Sequence, residues 1–322
     1  MKRHIALDRF RGIAIILMVA GNALTDVPGT PRFMQHTPDI GLSFADTIAP
    51  LFVFAIALSY RSSFITLYKL VKGKAFTQYA YRYFALIGLG AIFSAGGALV
   101  EQYTAWGVLQ SLGVAGLLTL LVISFPSSVR LAIGLLLLAG YQILLDRFLL
   151  QEVLASPHGG IFGSLSWSAM LILSTVLVDC IKKGSRSTLI GIATTAALAA
   201  LSAFIVPLSK NRVSMSYVLL TIAISGTWYA AIRALSVRFP AQHGYLACWG
   251  VNPLLFYVAH LFLIGLAKLP FALLHIDPRP LIPSYLCAAA IVLLLGLTAR
   301  HLYFKRGSDE AQSAPPTAQA HA

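Results

Sequence analysis

The sequence predicts an all-α membrane protein, a polytopic bundle of about ten transmembrane helices with both termini in the cytoplasm. Composition is the first observation: 58% of the 322 residues are hydrophobic and 11% are charged, whereas soluble domains carry about 25% charged residues. Mean hydropathy is +0.79. Apolar stretches of about 20 residues, the length of a helix that spans a bilayer, recur along the chain. These observations exclude a soluble globular or a disordered protein.

The apolar stretches fall at residues 10–25, 42–63, 79–99, 105–124, 128–146, 160–181, 187–207, 214–235, 247–268 and 281–303. Each is predicted to be a helix, because backbone polar groups in lipid must be satisfied within their own segment. Residues 1–304 are therefore interpreted as one transmembrane domain. The composition from 305 to 322 turns to Ser, Pro, Ala and Gln, which is typical of a disordered tail.

The net charge of +13 could suggest a nucleic-acid partner, but the positions of the basic residues favour a topology signal. Eighteen of the 24 Lys and Arg residues fall on one side of the predicted topology. The other side holds Arg32, Arg147, Lys210, Arg212, Lys268 and Arg279. Since cytoplasmic loops carry excess Lys and Arg, the basic side is cytoplasmic and no nucleic-acid partner is needed.

Cysteines and histidines show no metal-ligand spacing. Cys180, Cys248 and Cys287 lie in apolar surroundings, and the eight histidines are scattered. No metal site is expected.

Polar residues inside predicted spans are costly and are functional candidates by default. Four of them fall toward the extracytoplasmic side, namely Asn22, Asp46, Gln110 and His260. His36, in the first outer loop, lies at the same level. A histidine can act as base or nucleophile, and a nearby aspartate can orient it. Structural alternatives stay open: a loop histidine at 36, interhelical hydrogen bonds at 22, 110 and 260, and a helix-capping carboxylate at 46.

Arg11 lies at the cytoplasmic start of the first helix, and its guanidinium suits the phosphates of a nucleotide-bearing cofactor. The alternative is membrane anchoring, with Arg11 paired to Asp8 one helical turn away.

Several motifs resemble one known family, the heparan-α-glucosaminide N-acetyltransferases. The run DRFRGIAIILMV at 8–19, followed by Asn22, is similar to the opening helix of that family. Residues 36–54, HTPDIGLSFADTIAPLFVF, resemble its outer loop H-A-x-W-N-G-L-T-x-A-D-x-x-F-P-x-F-x-F. Further similar segments, in family order, are GVLQ at 107–110, PLSKN at 207–211, SYVL at 216–219, and GVNP at 250–253 with Tyr257 and His260.

The resemblance implies a membrane acetyltransferase that uses acetyl-CoA as co-substrate, taking its acetyl group from the cytosol to an extracytoplasmic amino sugar. It implies His36 as the active-site histidine and Asp46 as its partner. Asn252 and His260 match later motifs, and we expect both to bind the cofactor together with Arg11 and Gln110. The acyltransferase-3 group opens similarly but has its histidine where Asn22 stands here, which favours the glucosaminide family.

Three changes, at four positions, depart from the family pattern. The W-N pair is Asp39-Ile40, the Phe before Pro50 is Ala49, and the Arg after L-Q is Ser111. The first two changes put the acceptor sugar in question, because aromatic rings stack on saccharides. The third weakens the transfer of a cofactor contact.

The expected partners are acetyl-CoA, an extracytoplasmic glycan or amino sugar acceptor and the lipid bilayer, with a homo-oligomer as one option. Short loops and the lack of the luminal extension of the family favour a bacterial inner membrane. Two alternatives remain at this point: a secondary transporter or flippase that uses the same polar cluster, and an inactive scaffold.

Overall fold

The computed structural model describes residues 4–25, 27–97, 106–240, 244–274 and 281–312. These ranges contain helices and no strand, which confirms the predicted all-α membrane bundle. The α-helices are α1 Ile5–Leu24, α2 Ile48–Val71, α3 Lys74–Gly97, α4 Val108–Val122, α5 Ser127–Leu144, α6 Leu150–Leu154, α7 Gly160–Lys183, α8 Ser185–Ala203, α9 Met215–Arg238, α10 Tyr245–Gly250, α11 Pro253–Leu273 and α12 Leu281–Gln312. Within the described ranges, each predicted apolar stretch overlaps one or two of these helices, and residues 98, 99 and 105 of the predicted stretches lie outside those ranges.

Seven helical segments in the described ranges are long and apolar enough to cross a membrane. They are Ala45–Val71, Ser127–Leu154, Gly160–Lys183, Ser185–Ala203, Met215–Arg238, Pro253–Pro270 and Leu281–Lys305. Helix α4 is shorter, with 15 residues, and α1 carries Asp8, Arg9 and Arg11. The protein is therefore an integral membrane protein, and the count of ten spans stays a prediction.

The chain divides into two compact units, which we describe separately. The central unit comprises Gln35–Ala230, and the terminal unit comprises Met1–Met34 with Ala231–Ala322. In the central unit, α7 packs against α2, α4, α5, α6 and α8 and is mostly buried. In the terminal unit, α1 packs against α10, α11 and α12. Each unit is thus organised around one helix.

The predicted stretch 247–268 is two helices rather than one. It breaks at Val251 and Asn252, between α10 and α11. Pro253 explains the break, because its ring disfavours helical geometry in the preceding residue but suits the first position of a new helix. The Asn252 carbonyl accepts a hydrogen bond from the Phe256 amide at 3.3 Å, as the first bond of α11.

Helix α12 continues to Gln312, beyond the predicted tail boundary at residue 305. The division into a transmembrane domain and a tail stays a prediction. The last helical segment carries Arg306, Asp309 and Glu310. These are residues that a water-exposed helix tolerates, so polarity alone did not mark its end. Residues 313–322 lie outside the described part of the chain.

Helices α1 and α10 approach each other with their backbones nearly in contact. A Cβ atom added to Gly12 would lie 1.9 Å from the Leu246 carbonyl oxygen. One added to Gly250 would lie 1.8 Å from the Asp8 carbonyl oxygen. Both distances are far below van der Waals contact, so this crossing requires glycine on each helix.

Arg130, near the start of α5, joins this helix to the last turns of α7. Its side chain is fully buried and pairs with the Asp179 carboxylate. Its Nη1 donates to Thr175 Oγ1 at 2.6 Å, and its Nε donates to the Phe125 carbonyl at 3.1 Å. The sequence placed Arg130 among the topology-setting basic residues, and its burial gives it a structural role as well.

We expect Gly12→Ala or Gly250→Ala to destabilise the protein by about 1–3 kcal/mol, because the added methyl group overlaps a backbone carbonyl. The melting temperature of the detergent-solubilised protein measures this effect. Gly265→Ala is the matched control, since that glycine also lies in a terminal-unit helix and its added Cβ would meet nothing within 4 Å. Equal melting temperatures for all three variants would contradict the close crossing.

We expect Arg130→Ala to destabilise the protein by about 3–5 kcal/mol, because it leaves the Asp179 carboxylate without its buried partner. Thermal unfolding measures the loss, with the exposed Arg186→Ala as control. The double variant Arg130→Met/Asp179→Leu should recover part of the stability, because it removes both charges. A double variant no more stable than Arg130→Ala would argue against the ion pair as the cause.

Candidate active site

The loop between α1 and α2, which we call the outer loop after its predicted side, brings His36 and Asp46 together in the central unit. His36 Nδ1 lies 2.8 Å from Asp46 Oδ1. The Asp46 side chain is fully buried, and the His36 side chain is 38% exposed. Because a carboxylate only accepts, this contact assigns the proton to Nδ1 and leaves the Nε2 lone pair available. The arrangement is an oriented histidine with one free basic nitrogen.

The other Asp46 oxygen, Oδ2, collects four further donors. Thr37 donates its hydroxyl at 2.8 Å and its amide at 3.3 Å. Ser43 donates both its hydroxyl and its amide at 3.0 Å. Ser43 Oγ in turn accepts the Asp46 amide at 3.3 Å. Asp46 therefore ties Ser43 to the 3-10 turn Ala45–Thr47 that precedes α2, so this turn and the loop with His36 share one carboxylate.

Lys210 is a site residue that the sequence interpretation missed. Its Nζ lies 3.8 Å from Asp46 Oδ1, and its side chain is 6% exposed. Burial lowers the pKa of Lys210 below the ordinary 10.5, and the charge of Asp46 partly opposes that shift. Two sequence features could have indicated Lys210. It lies in the PLSKN segment that resembles the family, and it is one of only six basic residues on the predicted extracytoplasmic side. A buried ammonium thus lies beside the His36–Asp46 pair.

The backbone that carries Lys210 is strained. Val213 has φ of +48°, which is rare for a β-branched residue. Its amide donates to the Lys210 carbonyl at 3.1 Å, and its carbonyl accepts from Ser166 Oγ of α7 at 2.7 Å. At the start of α9, the Tyr217 hydroxyl donates to the Asp46 carbonyl at 2.7 Å. Strain of this kind persists where surrounding contacts over-determine the conformation, as they do here.

A second set of contacts clamps the outer loop to the segment 207–213. Asp39 pairs with Arg212, whose Nε donates to Oδ1 at 2.8 Å, and accepts from Ser209 Oγ at 2.9 Å. The Arg212 hydrogen bond lowers the pKa of Asp39 and raises that of Arg212. The Gly41 amide also donates to the Leu208 carbonyl at 2.8 Å. Asp39, one of the departures from the family pattern, therefore anchors the loop.

Gln110, expected to bind cofactor, is buried and occupied within the protein. Its Oε1 accepts the Gly107 amide at 2.9 Å, and its Nε2 donates to Ser94 Oγ at 3.0 Å. These contacts hold the start of α4 against α3. They match the alternative that Gln110 serves as an interhelical hydrogen-bonding residue. Its cofactor role remains a prediction.

The terminal unit pairs Asn22 with His260. Asn22 Nδ2 lies 3.0 Å from His260 Nε2, and His260 Nδ1 lies 3.2 Å from the Phe256 carbonyl. The amide nitrogen donates to Nε2, so the histidine carries its proton on Nδ1 and donates it to the carbonyl. Both ring nitrogens of this fully buried residue are therefore occupied, which matches the interhelical alternative.

The remaining cofactor candidates, Arg11 and Asn252, also lie in the terminal unit. Arg11 Nη1 is 3.9 Å from Asp8 Oδ1, the pairing one turn apart that the sequence allowed. Asn252 stands at the break between α10 and α11, where it is half-buried. These positions do not show whether either residue binds a nucleotide, so the cofactor contacts expected of Arg11 and Asn252 remain predictions. Among the described residues, no group of three or more His, Cys, Asp and Glu side chains is placed to hold a metal ion.

Comparison with known proteins assigns the family. The family model described as heparan-alpha-glucosaminide N-acetyltransferase, catalytic, matches residues 3–175, more than half of the chain. No curated protein matches the sequence. The matched region contains the outer loop with His36 and Asp46, whereas Lys210 and the Asn252 motif lie beyond it. The chain therefore belongs to the heparan-alpha-glucosaminide N-acetyltransferase family, a family of membrane acetyltransferases.

Proposed function

We propose that this protein transfers the acetyl group of cytosolic acetyl-CoA to an amine or hydroxyl of an extracytoplasmic sugar. The observation that carries the proposal is the His36–Asp46 pair at 2.8 Å, in the region matched by the catalytic-domain family. The charge asymmetry of the loops supports an extracytoplasmic position for this pair. We place the protein in a bacterial cytoplasmic membrane, with its acceptor on an envelope or scavenged glycan.

The free Nε2 of His36 supports two routes. In a covalent route, Nε2 bonds to the acetyl carbon, the carbon–sulfur bond breaks and CoA leaves as thiolate. The acceptor then attacks the acetyl-imidazole, loses its proton and restores the ring. In a direct route, the acceptor attacks the thioester carbon while Nε2 takes its proton. The carbon–sulfur bond breaks, and CoA leaves as a thiolate that takes the proton back from His36. In both routes Asp46 holds the ring and stabilises its positive charge.

Lys210 would support either route through electrostatics. Its ammonium partly offsets the negative charge of the buried Asp46 carboxylate, so the net charge beside the His36 imidazole is close to zero. It is also a buried cation beside the histidine, suited to stabilise negative charge that develops on the thioester oxygen. The charged form of Lys210 is the one that does this.

Incubation with labelled acetyl-CoA alone separates the two routes. Label retained on the protein after rapid quench, and lost in His36→Ala, supports the covalent route. Label that leaves CoA when acceptor is added, with none on the protein at any quench time, supports the direct route.

We expect His36→Ala to lower acetyl transfer to glucosamine by about 10²–10⁴-fold, since it removes the acid–base or nucleophilic group. Asp46→Asn should lower it by a comparable factor, because the amide cannot hold the same tautomer. The assay is transfer of labelled acetyl from acetyl-CoA in membrane vesicles. His301→Ala, an exposed histidine of α12, is the control. The proposal would be overturned if His36→Ala consumed acetyl-CoA at the wild-type rate. It would also be overturned if the wild type consumed no acetyl-CoA with any sugar acceptor.

The lowered pKa of Lys210 predicts an alkaline limit to activity. Lys210 is charged below its pKa and neutral above it, and burial lowers that pKa. Transfer should therefore fall with rising pH before 10.5, the pKa of an ordinary lysine. In Lys210→Arg this limb should move to higher pH, because a guanidinium keeps its charge. Lys210→Met should lower the rate at all pH values by about tenfold or more, or 1.4 kcal/mol of barrier.

The pH-rate profiles of the three proteins measure these effects. Wild type supplies the reference for titration of the acceptor amine, which is the same in every assay. Superimposable alkaline limbs in wild type and Lys210→Arg would show that the Lys210 charge does not limit the rate.

A further inference from the structure

His158 is a second histidine at the candidate site. It lies in the turn Pro157–Gly159 that precedes α7. A Cβ added to Gly159 would be 3.0 Å from Val213 Cγ2 and 3.4 Å from the Asn211 carbonyl oxygen. The turn therefore packs against the segment that carries Lys210. Trp167 of α7 fixes it from the other side, where Nε1 donates to the His158 carbonyl at 3.1 Å.

The backbone and the ring of His158 are both unusual. Its φ and ψ angles are 58° and 22°, in the left-handed region that few residues other than Gly, Asn and Asp adopt. Its Nδ1 atom is buried and has no hydrogen-bond partner among the described residues. Folded proteins leave few buried polar atoms unpaired, and each costs about 1–3 kcal/mol. An unpaired atom beside an active site indicates a missing ligand.

The charges around His158 indicate which ligand suits it. Burial lowers the pKa of His158 well below the ordinary 6.5, and nearby Lys210 and His36 lower it further, while Asp46 opposes the shift. The ring is therefore neutral at physiological pH. The unprotonated nitrogen of a neutral imidazole accepts a hydrogen bond from a hydroxyl or an uncharged amine. These two groups are the nucleophiles that an acetyl acceptor carries. The lowered pKa of His158 makes its ring a weaker base than an ordinary histidine, so it is suited to binding rather than to proton transfer.

We propose that His158 binds the acceptor, with Nδ1 accepting a hydrogen bond from a hydroxyl or amine of the sugar and holding its nucleophile toward His36. This inference rests on the proposed function and names the acceptor-binding residue of the same site. His158 does not exchange protons with the substrate. The proton that the nucleophile loses goes to His36 in the direct route and to solvent in the covalent route.

Two substitutions at this position separate ligand binding from backbone strain. His158→Gly removes the ring but suits the left-handed conformation without strain. His158→Asn also tolerates that conformation, and its Oδ1 lies near the place of Nδ1, so it keeps an acceptor atom. Both variants should fold, because both residues suit the left-handed backbone, and both lose the contact between the His158 and Trp167 rings, whose centroids lie 6.2 Å apart. A difference between them therefore reports the lost hydrogen-bond acceptor.

We expect the KM for glucosamine to rise about tenfold in His158→Gly, the effect of one lost hydrogen bond. The KM for acetyl-CoA should stay at the wild-type value, because His158 contacts the acceptor. His158→Asn should restore most of the affinity for glucosamine. An unchanged KM for glucosamine in His158→Gly would overturn the inference, as would an equal rise in the KM for acetyl-CoA.

Glucosamine binding without acetyl-CoA distinguishes failure of this inference from failure of the proposed function. Calorimetric titration of the wild type, His158→Gly and His158→Asn measures it, with methyl α-glucoside as a second probe that offers hydroxyls alone. Weaker binding to His158→Gly than to His158→Asn supports the acceptor site even if no acetyl is transferred. If acetyl is transferred and all three proteins bind glucosamine equally, the role of His158 is overturned while the proposed function stands. Neither binding nor transfer by the wild type overturns both proposals.

Discussion

A carboxylate taken out of water must have its charge and its lone pairs satisfied by the protein, and Asp46 meets this condition. Thr37 and Ser43 fill one oxygen, while His36 and Lys210 share the other. The orientation of His36, the start of α2 and the position of Lys210 all follow from this one buried group. Loss of Asp46 would therefore alter the tautomer of His36 as well as local stability.

The clamp between Asp39 and Arg212 accounts for the change from the W-N pair of the family pattern. The two side chains are 173 positions apart in sequence, and their ion pair holds the outer loop against the segment that carries Lys210. An aromatic residue at that position could contact a sugar ring, whereas Asp39 is engaged with Arg212 and Ser209. Ile40, the other changed position, is 63% exposed. Asp39 is thus committed to contacts within the protein, and we propose His158 instead as the residue that contacts the acceptor.

The polar residues of the predicted spans differ in the partners they find. His36 keeps one ring nitrogen free, whereas His260 has partners for both nitrogens and Gln110 for both ends of its amide. The sequence predicted a similar depth in the membrane for all three residues, and this depth did not distinguish a catalytic residue from a structural one. Their difference is one of hydrogen-bond satisfaction, which depends on neighbours from other helices. Arg130 is a similar case, because counting the charges in the loops could not predict its ion pair with Asp179.

The sequence by itself determined the class of the protein, the positions of its helices and the His36–Asp46 pair, because composition, segment length and a motif of eleven residues are local properties. It did not determine the break before Pro253 or the end of α12 at Gln312, since helix ends depend on small local preferences. Only the tertiary structure brought Lys210 to the Asp46 carboxylate and the turn of His158 to the segment that carries Lys210. Contacts between residues far apart in the chain arise from packing, and packing leaves no periodic signal in the sequence.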